Sequence, residues 1–142
     1  MTQAKADPAQ VLASGAAYET FQHWIAAQGG DLDAFERSSP ATEVYTLKAP
    51  TSGYVQSIDA LKLGQAVKLL GGGRSSKGDE LDLDVGIRLE KKVGDGVVGG
   101  EGVLELYHKR RGFEAAQRLV QESIIISPDV VRKPKLVLAE VS

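Results

Sequence analysis

Residues 69–95, LLGGGRSSKGDELDLDVGIRLEKKVGD, decide how this chain is read: three consecutive glycines run into a basic, hydroxyl-bearing loop and then into an extended segment. A glycine run permits positive φ and close approach of the backbone to a ligand or to another segment, and Arg74, Ser75, Ser76 and Lys77 can offer donors to an anion there. The same string also serves as a helix-to-strand surface connection. No strand precedes it and no Gly-Lys-Ser/Thr helix start follows, so it is neither a Walker-type phosphate loop nor a dinucleotide fingerprint.

Working outward, residues 85–91 alternate, with Val85, Ile87 and Leu89 on one face and Arg88 and Glu90 on the other, which predicts a half-buried strand. Val93-Gly94-Asp95-Gly96-Val97 has tight-turn chemistry, and residues 103–107 return as a strand, giving a hairpin or a small barrel-like corner. Asp79, Glu80, Asp82 and Asp84 lack the pattern of a calcium loop and read better as the solvent face of a strand carrying Leu81, Leu83 and Val85 than as an acid/base pair.

Upstream of the glycines, Asp59 is placed to cap a helix over residues 60–70, weakened slightly by Gly64. It follows two β-like stretches, 44–47 and 54–58, joined by an Ala49-Pro50-Thr51-Ser52-Gly53 turn. Downstream, Phe113, Ala116, Gln117 and Val120 mark a helix over 113–122. Ile124 to Ile126 form a short strand ended by Pro128, and 135–141 alternates as a closing strand. From residue 43 the order is β-β-α-β-β-α-β, an α+β domain running to 142.

Before it, Asp7-Pro8 opens one amphipathic helix, 8–28, on the spacing of Val11, Gly15, Tyr18, Phe21 and Ile25, with Gly29-Gly30 as its stop. Trp24 enlarges an apolar face that must pack against something. Residues 31–43, with Ser38-Ser39-Pro40, read as a polar connection. They place a boundary near 42, so that 1–42 is a helix and linker belonging to a larger domain.

The 142 residues carry 17 Lys+Arg against 19 Asp+Glu, a net charge of −2, so no overall positive field draws the protein to nucleic acid or an anionic membrane. Lys109-Arg110-Arg111 and Lys91-Lys92 are the one modest basic cluster. Without interleaved aromatics they read as solvated turns. No apolar run nears the roughly 20 residues that span a bilayer, and MTQAKADPAQ lacks a signal-peptide core, so the cytoplasm is the expected compartment. With no cysteine and only His23 and His108, thiolate chemistry is excluded and neither a zinc site nor any other metal centre is expected. Both histidines read as structural or exposed rather than catalytic.

Several stretches together carry a resemblance. FQHWIAAQGGD at 21–31, the segment from Ala49-Pro50 through Gly53-Tyr54-Val55 to Ile58-Asp59, LGGGRSSKGDELDLDVGI at 70–87 and KKVGDGV at 91–97 stand in an ordered spacing over most of residues 9–108. In these the chain resembles the C-terminal portion of pyrimidine-nucleoside and thymidine phosphorylases. The resemblance implies a homodimeric enzyme of several hundred residues. With inorganic phosphate as co-substrate and no other cofactor, it cleaves thymidine or uridine to the free base and a pentose 1-phosphate, in a cleft between a helical and an α/β domain.

It also implies that the family's phosphate-binding Lys-His-Ser-Thr-Gly segment and its base-reading Arg, Ser and Lys lie upstream of the matched region; none occurs in this chain. No catalytic residue is therefore carried over. Phosphorolysis needs donors to hold phosphate near the anomeric carbon and a group to stabilise the departing base, so this chain alone is expected to be inactive and to depend on the remainder of such an enzyme. Gly71, Gly72, Gly73, Arg74, Ser75, Ser76 and Lys77 remain as a substrate-proximal loop, either a mobile element reaching over the cleft or a solvated connection.

The family's C-terminal domain resembles an α/β-hammerhead, and the 93–97 turn resembles the corner of biotinyl and lipoyl carrier domains. No Met-Lys-Met or Asp-Lys-Ala tip presents a modifiable lysine. The competing expectation is a stand-alone binding or scaffold module with a carrier-like β fold.

Overall fold

The computed structural model describes residues 7–37, 43–74 and 76–139. The expected connection at Ser38-Ser39-Pro40, the boundary near 42, and Ser75 fall outside them. Contacts divide the chain into a helical unit within the first 40 residues and an α+β unit that ends at 138.

The helical unit holds α1 (Pro8–Ala13), α2 (Ala16–Ala27) and α3 (Leu32–Arg37). Asp7 caps α1 by accepting from the Ala9 N–H at 3.0 Å, with Pro8 in the first turn, as the sequence indicates. The expected single helix over 8–28 is instead two. Gly15 adopts φ +83°, which a continuing helix cannot contain, and the chain restarts at Ala16. Gly29 (φ +77°) ends α2 as expected.

The polar stretch after it is not a plain connection. Asp31 accepts from the Ala34 N–H at 2.8 Å and starts α3, whose Glu36 accepts from the Tyr18 hydroxyl at 2.8 Å. No residue of α1, α2 or α3 is buried. Tyr18, Phe21 and Trp24 form a ladder along α2, with ring centroids 6.5 and 6.3 Å apart, and Trp24 is 57% exposed.

The α+β unit contains β1 (Glu43–Lys48), β2 (Gly53–Ile58), α4 (Ala60–Val67), β3 (Gly86–Leu89), β4 (Gly96–Val97), β5 (Gly102–His108), α5 (Phe113–Gln121) and β6 (Ile124–Ser127). Two antiparallel three-stranded sheets form, ordered β1-β5-β3 and β4-β2-β6. The 93–97 turn therefore makes a corner rather than a simple hairpin. From β3 the chain crosses to pair Gly96 and Val97 with β2, then returns as β5 to pair with β3.

Asp59 caps α4 by accepting from the Leu61 and Lys62 N–H groups at 3.0 and 3.1 Å. Leu63, Ala66 and Leu70 on one side, Ala116 and Val120 of α5 on the other, and Val55, Val103, Leu104 and Leu106 from the sheets make one core. Leu104 and Leu106 are wholly enclosed because β5 is the central strand of its sheet.

Two strand expectations fail. Residues 79–84 are turn and extended loop, and Leu83 is 87% exposed. The alternation there is not a buried face, because the acidic side chains are drawn to a lysine outside the sheet rather than to solvent beside a ladder. Residues 135–139 form no strand either, with Leu136 97% and Leu138 88% exposed; 140 and 141 lie outside the described residues. The backbone of Lys133 rests on Gly94, and the edge strand nearest to it, β4, has only two residues of ladder to pair with.

Truncating Leu104 to alanine removes a fully enclosed side chain and is expected to cost about 3 kcal/mol, whereas Leu83→Ala should change stability by less than about 0.5 kcal/mol. Urea titrations of both variants check this. A large loss at Leu83 would restore the buried-strand reading of 79–84.

Candidate functional site

The glycine-rich loop is closed at its neck. The helical path of α4 widens over Lys68–Gly72 into a turn with a longer hydrogen-bond reach, Gly71 turns at φ +106°, and its carbonyl accepts from the Asp82 N–H at 3.0 Å. The described residues of 72–81 thus belong to a loop whose two ends are joined, the form of an Ω-loop. Gly72 is required by proximity: a Cβ there would stand 2.6 Å from Val67 Cγ1 and 3.2 Å from Val85 Cγ2.

At the tip, the Ser76 N–H donates to Asp79 Oδ2 at 2.9 Å, the Asp79 N–H donates back to the Ser76 carbonyl, and Gly78 takes φ +100°. Arg74, Ser76 and Lys77 occupy exposed positions on this loop. None of these three lines the open cleft beside Lys109.

The corner between β5 and α5 grips the neck. Lys109 Nζ bridges Asp82 Oδ1 at 3.0 Å and Asp84 Oδ2 at 2.6 Å. The Arg111 guanidinium lies against Gly71, with Nη1 3.3 Å from where a Cβ would stand. A Cβ on Gly112 would strike the Leu69 carbonyl oxygen, so that position too must be glycine, at φ +63°. Between them Arg110 adopts φ +68°, unusual for a side-chain-bearing residue. It is held by its N–H donating to His108 Nδ1 at 3.4 Å and its Nε donating to Glu43 at 2.8 Å. His108, 4% exposed, stacks on Phe113 with ring centroids 3.9 Å apart.

Lys109 and Arg111 line one side of an open cleft of about 510 Å³, and residues 80–84 line the other. Three carboxylates, Glu80, Asp82 and Asp84, face two cations there, which suits a clamp better than an anion pocket. The Lys109 hydrogen bond, with the Asp84 N–H second, holds the Asp82 carboxyl below the usual carboxylate range; Asp84 and then Asp82 raise the Lys109 ammonium above its ordinary value. Of the expected basic cluster, Lys109 and Arg110 face carboxylates, while Lys91 pairs separately with Glu101 at 2.6 Å. His23 lies exposed on α2.

The sequence named Lys109 only within a basic cluster read as a solvated turn, because its partners lie 25 and 27 residues away with no local signal linking them. Among the described residues, no three His, Cys, Asp or Glu side chains gather to hold a metal, and no helix is long and apolar enough to cross a membrane.

Lys109→Met should open the neck and raise the rate of tryptic cleavage after Arg74 and Lys77 several-fold, with little change in the thermal midpoint. Mass spectrometry of limited digests reads this. For the native clamp, the depressed Asp82 value means its contribution is complete above the ordinary aspartate pKa of about 3.9 and drains away as pH falls further. The raised Lys109 value means the contribution is lost only as pH climbs beyond about 10.4. Amide exchange in residues 72–82 is therefore expected to be equally protected at pH 5 and pH 7 once corrected for intrinsic rate, and to lose protection below pH 4.

Comparison with known proteins fits this architecture. Residues 54–127, over half of the chain, match the family described as pyrimidine nucleoside phosphorylase C-terminal domain. A pyrimidine-nucleoside phosphorylase of Geobacillus stearothermophilus is 36% identical over 136 residues, covering 94% of this chain and 31% of that protein. One from Staphylococcus aureus (strain USA300) is 38% identical over 134 residues, covering 92% of this chain and 31% of the relative. The chain thus spans about 31% of the length of these relatives, and it belongs to the pyrimidine nucleoside phosphorylase C-terminal domain family.

Proposed function

We propose that this chain is the cleft-closing C-terminal part of a cytoplasmic, homodimeric phosphorylase acting on thymidine or uridine. In that reaction inorganic phosphate is the co-substrate: a phosphate oxygen bonds to the anomeric carbon as the glycosidic bond breaks, giving the free base and a pentose 1-phosphate. The chain's contribution is positional. The observation that carries the reading is the coverage of 31% of each relative, combined with the absence from this sequence of a Lys-His-Ser-Thr-Gly phosphate segment.

Two features of the structure support it. Three helices with no buried residue and an exposed Tyr18-Phe21-Trp24 ladder suit a surface that normally packs on the remainder of the enzyme. The loop that begins at Gly71, Gly72 and Gly73 has an anchored neck and exposed Arg74, Ser76 and Lys77, the build of an element that reaches over a cleft while its base stays fixed.

Assays of phosphate-dependent thymine or uracil release are expected to give no turnover with this chain alone. Turnover is expected when it is co-expressed with the amino-terminal two thirds of the Staphylococcus aureus relative. Robust turnover by the isolated chain would sink the assignment of the reacting groups to another segment, and failure to form any complex with that portion would sink the positional role.

A further inference from the structure

The chain contains no asparagine and a single Asp-Gly dipeptide, Asp95-Gly96, where the corner after β3 runs into β4. An Asp-Gly linkage is the aspartyl bond most open to attack by the main chain on its own side chain, because glycine places no Cβ beside the attacking nitrogen. The fold does not demand glycine at 96. A Cβ there would meet only the Tyr54 ring, at 3.8 Å, and the backbone is not left-handed.

The attacking nitrogen faces outward. The Val55 N–H donates to the Asp95 carbonyl at 3.0 Å, and bonded and non-bonded pairs alternate along an antiparallel ladder. At the next pair, Tyr54 with Gly96, the Gly96 N–H therefore points away from β2, to the open side of the outermost strand β4. Gly96 is exposed, and its carbonyl, on that same side, accepts from Lys91 Nζ at 3.4 Å.

The carboxyl group is guarded. Asp95 Oδ1 pairs with Lys133 Nζ at 2.6 Å, and Oδ2 accepts from the Lys92 N–H at 2.7 Å. Lys133 first, and the Lys92 N–H second, hold this carboxyl below the usual aspartate range, in the ionised form that has no hydroxyl to lose. The guard is lightly held. Residues 128–139 form neither helix nor strand, the Lys133 side chain is 69% exposed, and its backbone rests on Gly94, where a Cβ would stand 2.9 Å from the Lys133 nitrogen.

We propose that Asp95-Gly96 is a site of spontaneous aspartate isomerisation and that Lys133 is the latch that suppresses it in the folded chain. When the latch opens, the Asp95 carboxylate takes up a proton, and the Gly96 nitrogen gives up its own as it bonds to Asp95 Cγ. One water departs and a succinimide closes. Water then adds back and breaks the bond from the Gly96 nitrogen to the former main-chain carbonyl carbon, which becomes a free α-carboxylate. The chain now runs through Cβ and is one carbon longer. The carbonyl that bonded Val55 is lost to the ladder, so the two pairs of β4, Gly96 with Tyr54 and Val97 with Gly53, slip out of register.

Ageing the full 142-residue chain at about pH 6 and about 37 °C tests this, with peptide mass spectrometry by electron-transfer fragmentation to locate β-linked aspartate. Lys133→Met is expected to form it at position 95 at least tenfold faster than the unsubstituted chain, with the thermal midpoint unchanged because the pair is solvent-exposed. Lys133→Arg, which keeps the cation, should stay as slow as the unsubstituted chain. Adding Gly96→Ala to Lys133→Met should abolish the gain. Equal rates with and without Lys133 would overturn the proposal, as would modification at another aspartate in preference to Asp95, or an acceleration that persists with Gly96→Ala.

Discussion

The contact between Gly112 and the carbonyl of Leu69 organises the α+β unit. It brings the end of α4 against the start of α5 at a distance no side chain would allow, and it does so at the point where β5 leaves its sheet. From that junction Lys109 and Arg111 face the neck of the glycine-rich loop, while Arg110 turns the opposite way to Glu43 at the start of β1. Left-handed backbone at Arg110 costs on the order of 1 kcal/mol or more. Its hydrogen bonds to Glu43 and His108, with the stacking of His108 on Phe113, offset that cost and fix the corner.

How far this could be read from sequence depends on the distance over which each feature is determined. The Asp7 and Asp59 caps, the helix stop at Gly29, the turn at 93–97 and the strand at 124–126 rest on neighbours within a few residues, and all appear in the structure. The split of the first helix at Gly15 was also written locally, but the apolar spacing across it masked the break. The strand expected at 79–84 failed for a different reason. The alternation of Asp82, Leu83 and Asp84 looks like a pleated face, yet the two carboxylates are spent on Lys109, which comes much later in the chain.

The candidate site shows the same division. Glycines at 71–73 advertise close approach, and the structure supplies the reasons at Gly71 and Gly72: the guanidinium of Arg111, and the side chains of Val67 and Val85. The clamp itself was not legible, since Lys109-Arg110-Arg111 has the composition of any solvated basic turn. The pairing of Lys109 with Asp82 and Asp84 also reassigns those two acidic residues, from a strand's wet face to the anchors of a neck.

The pairing of β1 with β5 sets a schedule for synthesis. Glu43 lies opposite His108, and every other residue of β1 likewise waits for a partner in β5. At about 5–20 residues per second on the ribosome, β1 stands without its neighbour for roughly 3–13 seconds. During that time Val44, Tyr45 and Leu47 are presented on an unpaired strand. This stretch is consequently most prone to misassociation before β5 is made, and a chaperone that shields extended apolar segments would raise the yield of folded protein more than one that acts after β1 and β5 have paired.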